Sequence, residues 1–276
     1  MSKNLIDKVY CKHGIFNILS RDSYIGKSLR EYGEWSELEI NLYHDLIKTN
    51  DVIIEIGSHI GSHTIPLANI VKDGQVYAFE PQLLLFKLLN DNIKINSLTN
   101  IVSYMEAVSN VSQSIKLNEV DYENLDENHK EINSGGIDFK KLISNESGYN
   151  SKIVTIDDKF HKLEKLDFIK IDAEGNEFDI LKGGKSLIDK FLPTIYFEYV
   201  PQDKEKNIEI FKFLNSFGYV SYSHVTPIYN LNNFRKNNTN VFSKMVSFMI
   251  LSIFSKKIDT IVELMLLKNL CKRIKN

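Results

Sequence analysis

The chain has 276 residues, a length that suits one large domain, and 43% of them are hydrophobic, enough for a sizeable core. Its 34 basic and 36 acidic residues leave a net charge of −2. This balance argues against nucleic acid as a partner, because phosphate binding needs a basic surface. The two cysteines, Cys11 and Cys271, form no CxxC pair. Metal sites built on several thiolates are therefore excluded, and a reducing compartment is expected.

No targeting or membrane signal is evident in the sequence. Residues 1–16 lack the long apolar run of a signal peptide. The most apolar stretch, residues 245–254, has about ten residues, whereas a helix across a bilayer needs about twenty. We therefore expect a cytoplasmic protein with no stable membrane insertion.

Short β-rich runs alternate with helical patterns along the chain, which is typical of a mostly parallel sheet with helices on both faces. The predicted strands are residues 52–56, 75–79, 101–105, 168–172, 194–199, 219–224 and 245–254. The predicted helices are residues 34–48, 62–71, 83–96, 177–191 and 204–217. Several strands are continuous apolar runs, as expected when both faces of a sheet are buried. The pattern predicts a Rossmann-like α/β fold with seven strands, the last of them antiparallel.

Residues 1–256 are predicted to form one domain, in which residues 1–50 are an N-terminal cap and helix. The polar segment 109–152 is too long for a plain connection inside a compact domain. It is either an ordered insertion that covers the active site or a flexible surface excursion. Residues 257–276 are predicted to form a C-terminal amphipathic helix with a solvated basic end.

The sequence EIGSHIGSHT, residues 55–64, lies between a predicted strand and a predicted helix. Gly57 and Gly61 allow a sharp turn and the close approach of a ligand to the backbone. The following helix points free N–H groups at the same space, which suits a carboxylate. The GxxxG spacing differs from the GxGxxG of dinucleotide enzymes, so an NAD-linked oxidoreductase is a poor match. A purely structural turn is the alternative.

Glu80 ends the next predicted strand, in VYAFEP, 23 residues after Gly57. A carboxylate at this position of nucleotide-binding folds accepts hydrogen bonds from ribose hydroxyls. A solvated strand end is the alternative. The glycine turn and Glu80 together favour nucleoside binding.

Two further acids end strands at the same edge of the predicted sheet. Asp172 ends the strand in FIKIDAEGNE, and Glu198 ends the next one. Open α/β sheets bind ligands at the carboxyl ends of their strands, so both acids are candidates for chemistry. Glu174 and Glu177 follow at a helix start, where stabilisation of the helix dipole is an alternative role.

These motifs form an ordered series that resembles the FkbM-type methyltransferases over roughly residues 10–255. The resemblance is carried by blocks in the same order as in the family. They are Asp22, Tyr24, YGEW at 32–35, DVIIEIGSHIGSHT at 51–64, VYAFEP at 76–81, Ala107-Val108, NSGG at 133–136, IDD at 156–158, LDFIKIDAEGNE at 166–177, Glu198, GY at 218–219 followed by His224, and NNFRKNNTNVF at 232–242.

The resemblance implies a class I methyltransferase fold, S-adenosylmethionine as the donor, and a hydroxyl of a sugar or natural product as the acceptor. It implies that Glu80 holds the donor ribose and that Ala107 lies near the adenine. The residues that it implies around the methionine part of the donor are Glu55, Gly57, Ser58, Gly61 and Thr64. Asp172 is a further donor contact. The residues that it implies on the substrate side are Asn133, Gly135, Gly136 and Asn233.

Two positions depart from the family pattern. His59 stands where the family usually has Asn, and we expect it to face solvent or to cap the following helix. Met249 replaces a polar residue common in the last strand, which leaves the chemistry of the acceptor pocket open.

Methyl transfer to an alcohol needs alignment of the reacting atoms and removal of the hydroxyl proton. Asp172, Glu198 and His224 are the predicted catalytic residues, and the imidazole has the best intrinsic pKa for a base near neutral pH. The acids are also suitable ligands for Mg²⁺, but no dense ligand motif is present, so no metal ligands are assigned and the dependence on a divalent metal stays open. We expect O-methylation of a sugar or glycan. A non-sugar small molecule as acceptor, or a catalytically silent nucleoside- or glycan-binding module, are the alternatives.

Overall fold

The computed structural model of the chain describes residues 5–122, 132–144, 146–269 and 271–274. The strands among these residues are β1 (Ile6–Cys11), β2 (Gly14–Leu19), β3 (Val52–Ile56), β4 (Gln75–Phe79), β5 (Ile101–Tyr104), β6 (Ala107–Val108), β7 (Gln113–Leu117), β8 (Ile143–Ser144), β9 (Tyr149–Val154), β10 (Phe168–Ile171), β11 (Thr194–Glu198), β12 (Tyr219–Pro227), β13 (Val246–Phe254) and β14 (Lys272–Arg273).

Helices connect most of these strands. They are α1 (Ile25–Tyr32), α2 (Glu37–Leu46), α3 (Thr64–Ile70), α4 (Leu83–Ile95), α5 (Ile156–Lys159), α6 (Glu177–Gly183), α7 (Lys185–Phe191), α8 (Lys204–Ser216) and α9 (Thr260–Lys268), with short 3₁₀ turns at Phe139–Leu142 and Ser255–Lys257.

The main sheet has eight strands in the order β14-β12-β13-β11-β10-β3-β4-β5. Strands β3, β4, β5, β10 and β11 are parallel, and β13 runs antiparallel to both of its neighbours. The strand order changes direction between β3 and β10, which opens a crevice at their carboxyl ends. This topology confirms the predicted Rossmann-like α/β fold. It adds an eighth strand, β14, to the seven predicted.

Both faces of the sheet centre are buried, which explains the continuous apolar runs. Side chains alternate between the faces, so Ile54 and Ile169 belong to one apolar layer, whereas Ile53 and Phe168 belong to the other. Helices α6, α7 and α8 contribute to the first layer, and α2, α3 and α9 contribute to the second.

An N-terminal hairpin of β1 and β2 lies against α4, and the sequence pattern did not predict it. Two asparagine side chains, one on α4 and one directly after it, accept hydrogen bonds from the main chain of β2 as a neighbouring strand would. Asn92 accepts a hydrogen bond from the main-chain N–H of Asn17, and Asn96 accepts one from that of Ile15. These contacts join residues more than seventy positions apart, so they leave no local signal.

The segment 109–152 contributes most of a second sheet, with the strand order β6-β9-β7-β8. Its residues 123–131 and 145 lie outside the described part of the chain. The segment begins after β6, which pairs with β9 in parallel, so the second sheet starts close to the carboxyl edge of the main sheet.

Two predicted helices differ in extent from the pattern. The helix expected over 177–191 is divided at Gly184 into α6 and α7, because the Asp157 carboxylate accepts the main-chain N–H groups of Ser186 and Leu187 and starts a new helix there. The C-terminal helix is shorter than residues 257–276. It ends at Asn269, whose side chain binds Asp45, and the chain then pairs with the edge of β12.

No helix in the described ranges has the length and apolar character needed to cross a membrane.

Candidate active site

A cavity of about 450 Å³ opens at the carboxyl ends of β3, β4, β10 and β11. The predicted site residues that line it are Glu55, Gly57, Ser58, Glu80, Ala107, Asn133, Gly135, Gly136, Asp172 and Glu198. These residues come from separate parts of the chain, and the sheet edge brings them together.

Gly57 makes the turn that leaves β3. Its φ of +81° lies in the left-handed region, and a Cβ there would collide with the carbonyl oxygen of Asp172. The main-chain N–H groups of Gly57 and Ser58 both donate to the carbonyl of Phe79, at 3.0 Å. Only glycine fits this position, and both N–H groups of the turn are used within the protein.

Glu55 lies on β3 with its side chain fully buried in the cavity wall. Its Oε2 accepts hydrogen bonds from the hydroxyls of Thr64, at 2.6 Å, and Ser58, at 3.2 Å. Its Oε1 has no partner among the described residues. Burial raises the pKa of this carboxyl, and the nearby Lys170 ammonium opposes that change. An unpartnered buried acceptor suits a cationic group of a ligand.

Thr64 and Gly61 are not among the lining residues, so they act on the cavity indirectly. Thr64 orients Glu55 through its hydroxyl. Gly61 has a φ of +90° and faces Leu89 on α4, so it allows the loop to pack closely on that helix.

Glu80 ends β4 and is only 4% exposed, rather than solvated. Its Oε2 accepts the main-chain N–H of His59, at 3.0 Å, and its Oε1 accepts that of Gln82, at 2.8 Å. Burial raises the pKa of Glu80 to about 7, although the two N–H donors oppose the change. The carboxylate is therefore held rigidly at the cavity wall.

Three carboxyl groups meet at the opposite wall. Oxygens of Asp172, Glu174 and Glu198 all lie within 4.8 Å of one another. Burial, with the other acids of the cluster, raises the pKa of Glu198 to about 9 and that of Glu174 to about 7. Oε2 of Glu198 is buried and has no hydrogen-bond partner within the described chain. At neutral pH this acid cluster therefore holds a proton, and Glu174 exchanges one readily.

Lys170 also lines the cavity, and it was not among the predicted site residues. It is 2% exposed, and its Nζ lies 3.2 Å from Oδ2 of Asp172. Burial alone would lower its pKa, but the carboxylates of Asp172, Glu55 and Glu39 raise it, so the ammonium stays charged. The signal was a lysine inside the apolar strand FIKI, which needs partners when buried.

Glu174 was also assigned no site role from the sequence. It follows β10 with a φ of +48° and lines the cavity. Left-handed backbone is uncommon for a glutamate, and here it accompanies a carboxyl that faces the cavity.

His224 does not reach the cavity, contrary to the prediction. It lies on β12 with 1% exposure, and its Nδ1 is 2.8 Å from the hydroxyl of Tyr196. Burial lowers its pKa to about 4, so the ring is neutral near pH 7. Its side chain shares a face of β12 with Tyr222, beneath the C-terminal region. In the β12–β13 pairing His224 stands opposite Met249, which lines the cavity, so it lies on the same face of the sheet as the site but one strand further away. Strand periodicity gives the face of a side chain and not its distance from the cavity.

Asn233 is likewise absent from the cavity lining. Its amide donates to the carbonyls of Asn230 and Asn237, and its Oδ1 accepts the main-chain N–H of Asn237. This side chain holds the loop between β12 and β13 in shape. The same loop binds Glu34, which accepts hydrogen bonds from Asn230 and Phe234.

His59 neither faces solvent nor caps a helix, which corrects the expectation for this residue. It is 6% exposed and lines the cavity, and its Nε2 lies 2.8 Å from Oγ of Ser134. The residue before α3 is His63, and it forms no side-chain cap.

Met249 also lines the cavity, opposite Glu198 in the β11–β13 pairing.

The cavity is also lined by large aromatic side chains, which we call the aromatic wall. They are Tyr24, Trp35, Phe139, Tyr199 and Phe248. A wall of aromatic rings with a few convergent polar groups is typical of a small-molecule site.

The sheet order, the Gly57 turn and the buried acid after β4 define a class I methyltransferase that depends on S-adenosylmethionine. Residues 55–221, more than half of the chain, match the model of the methyltransferase FkbM domain. The chain belongs to the FkbM methyltransferase family, as the sequence motifs predicted.

One curated relative is the tRNA(Phe) (4-demethylwyosine(37)-C(7)) aminocarboxypropyltransferase of Methanocaldococcus jannaschii. It is 25% identical over 147 residues, which are 53% of this chain and 57% of the relative. The chain thus spans little more than half the length of that protein.

Solved structures with a similar chain path are distant in sequence. The FkbM methyltransferase of Methylobacillus flagellatus is 14% identical with a TM-score of 0.48, over 74% of this chain and 44% of that one. A precorrin-6y C5,15-methyltransferase of Geobacter metallireducens is 13% identical with a TM-score of 0.46, over 81% and 95%. The M. jannaschii TYW2 structure with AdoMet is 14% identical with a TM-score of 0.48, over 92% and 87%.

Proposed function

We propose that this methyltransferase acts on a hydroxyl group, and that its acceptor is a sugar or glycan. The observation that carries the proposal is the cluster of Asp172, Glu174 and Glu198 at the cavity wall. An alcohol must lose its proton as the new bond to carbon forms, and a carboxylate at the site accepts it.

The cavity residues fit the donor. S-adenosylmethionine supplies an electrophilic methyl group on a positively charged sulfur. Glu80 is the proposed ribose ligand, because its rigid carboxylate has room for further hydrogen bonds. The unpartnered Oε1 of Glu55 suits the donor ammonium, and the turn at Gly57 and Ser58 lies in the same cavity wall. Ala107 is proposed to lie beside the adenine.

Glu174 is the proposed base of the acid cluster. Its pKa of about 7 leaves the carboxylate available near neutral pH while keeping it basic enough to accept a proton. Glu198, with a pKa of about 9, keeps its own proton under the same conditions and acts as a hydrogen-bond donor. Asp172 is held by the ammonium of Lys170 and faces the same space.

The acceptor side is proposed to combine the aromatic wall with the segment 109–152, in keeping with the predicted insertion over the active site. Asn133, Gly135 and Gly136 belong to that segment and line the cavity. Sugar rings pair apolar C–H faces with hydroxyls, so aromatic rings such as Trp35 and acceptor oxygens together suit them.

RNA is a second candidate acceptor, because one relative is named as a tRNA-modifying enzyme. The net charge of −2 and the acid cluster argue against it, since both repel phosphates. A non-sugar small molecule is a third candidate acceptor, and the aromatic wall would suit it as well. A catalytically silent nucleoside- or glycan-binding module would use the same cavity without methyl transfer.

Incubation with S-adenosylmethionine labelled in its methyl group tests these hypotheses side by side. The acceptors are simple sugars, glycans, small aliphatic and phenolic alcohols, and unfractionated tRNA. The proposal expects label on a sugar or glycan hydroxyl, as an O-methyl ether. Label on tRNA alone, or on nitrogen or carbon, overturns it. Binding of S-adenosylhomocysteine without transfer to any acceptor supports the silent module.

A further inference from the structure

His59 contacts two parts of the cavity that are distant in sequence. Its main-chain N–H donates to Oε2 of Glu80, at 3.0 Å, on the proposed donor side. Its imidazole Nε2 lies 2.8 Å from Oγ of Ser134, on the side of the segment 109–152. The residue is more than nine-tenths buried, and its Nδ1 has no partner among the described residues.

Ser134 is fully buried and lies between residues that line the proposed acceptor pocket. Asn133 precedes it, and Gly135 and Gly136 follow it. The same stretch is anchored at its start, where the main-chain N–H and the hydroxyl of Ser23 both donate to the carbonyl of Ile132 at 2.8 Å. The hydrogen bond to His59 connects this acceptor wall to the donor loop.

We propose that His59 is a positioning residue that couples donor binding at Glu80 to the placement of residues 133–136, and this rests on the proposed function. When the donor ribose binds Glu80, the carboxylate that holds the main chain of His59 is fixed further. The imidazole transmits that restraint to Ser134. The acceptor wall is therefore better ordered when the donor site is filled.

The backbone conformation at His59 allows a variant that removes the side-chain contact without changing the loop. Its φ of +50° lies in the left-handed region, which Asn tolerates better than most residues. His59→Asn therefore keeps the loop conformation, while the shorter side chain no longer reaches Oγ of Ser134. Ser134→Ala removes the same hydrogen bond from the other side.

The experiment is amide hydrogen exchange on the whole chain, with and without saturating S-adenosylhomocysteine. In the unsubstituted protein, we expect the ligand to slow exchange at residues 132–137 by at least ~5-fold. His59→Asn and Ser134→Ala should each lose most of that ligand-dependent slowing, and the double variant should lose no more than either. His44→Asn changes an exposed imidazole on α2, outside the cavity lining, and should keep the slowing.

A hydrogen bond that is merely structural would change the exchange rates equally with and without ligand. Loss of the ligand-dependent slowing alone therefore indicates a positioning role. Full retention of the slowing in His59→Asn overturns the inference. Calorimetry with S-adenosylhomocysteine on the same samples distinguishes a failure of the proposed coupling from a failure of the proposed function. Absence of S-adenosylhomocysteine binding by the unsubstituted protein overturns both. The expected exchange pattern with label transfer only to tRNA overturns the proposed acceptor and supports the coupling.

Discussion

The carbonyl oxygen of Asp172 occupies the space that a side chain on Gly57 would need. The ends of β3 and β10 thus approach so closely that the turn after β3 accepts no Cβ, and its φ of +81° also requires glycine. The same approach brings the donor loop beside the acid cluster. A single backbone contact therefore fixes the geometry of the proposed reaction centre.

Gly57→Ala is expected to destabilise the protein by more than ~2 kcal/mol, because it adds both a collision and a strained backbone. It should also abolish binding of S-adenosylhomocysteine. Chemical denaturation and calorimetry measure the two effects. Gly135→Ala is the matched control, since a Cβ there would lie 3.6 Å from Cδ1 of Ile25, an ordinary contact, and its stability should be unchanged. Equal denaturation midpoints for both variants would contradict the prediction.

Glu80→Gln should weaken S-adenosylhomocysteine binding by about 1–3 kcal/mol, because a charged acceptor of ribose hydrogen bonds is replaced by a neutral one. Glutamine is preferred to alanine because its Oε1 still accepts one of the two main-chain N–H groups, of His59 and Gln82, that the Glu80 carboxylate holds. Its amide nitrogen cannot accept the other, so the variant also loses one hydrogen bond within the loop. Calorimetry measures the affinity, and a thermal melt checks the fold. NAD is the comparison ligand and should not bind. Unchanged affinity in a folded variant would remove Glu80 from the donor site.

The sequence predicted the fold well because each central strand carries its own signal. VIIEI and FIKID are apolar runs bounded by turn residues, and the parallel strands place Glu80, Asp172 and Glu198 on one edge. The hairpin of β1 and β2 was missed because its stabilising partners are side chains of a distant helix.

The site was predictable where a strand end or the following turn decided the position. Asn133, Gly135 and Gly136, which also line the cavity, came from the segment 109–152 and the family resemblance. His224 lies mid-strand on β12, one strand beyond the cavity-lining Met249, and the sequence does not give the order of the strands in the sheet. Lys170 was overlooked because its carboxylate partners come from three elements that sequence spacing does not relate. Glu174 was interpreted as an acid that stabilises a helix dipole. Its left-handed backbone, which accompanies a carboxyl facing the cavity, cannot be recognised from the sequence.

Lys170→Met should destabilise the ligand-free protein by about 3–5 kcal/mol, because it leaves the buried carboxyl groups of Glu55 and Glu39, and the partly exposed Asp172, without their cation. Denaturant unfolding measures this change. Lys116→Met, on an exposed position of β7, is the control and should alter stability by less than ~0.5 kcal/mol. If both variants unfold at the same denaturant concentration, Lys170 does not neutralise the cluster.

Glu198→Gln should stabilise the protein at alkaline pH. The carboxyl has an ordinary pKa of 4.5 and one of about 9 in the folded chain, so the folded state binds more protons between these values. The free energy of unfolding therefore falls as pH rises through this window. The variant should be at least ~1 kcal/mol more stable at pH 9 and nearly equal at pH 4.5. Melts across the pH range measure it, with Glu209→Gln, an exposed carboxylate on α8, as control. Parallel pH curves for the unsubstituted protein and Glu198→Gln would argue against a buried, protonated Glu198.

The pH dependence of labelled methyl transfer in Glu174→Gln tests the central claim most directly. For the unsubstituted protein, kcat/KM should rise through about pH 7 as Glu174 loses its proton. In Glu174→Gln, turnover should fall by at least ~10²-fold and that rise should disappear. His224→Gln is the companion variant, which should lower the melting temperature by losing its contact with Tyr196 yet keep its turnover once folded. Undiminished transfer by Glu174→Gln, with the same rise near pH 7, would contradict the assignment of the acid cluster to proton removal.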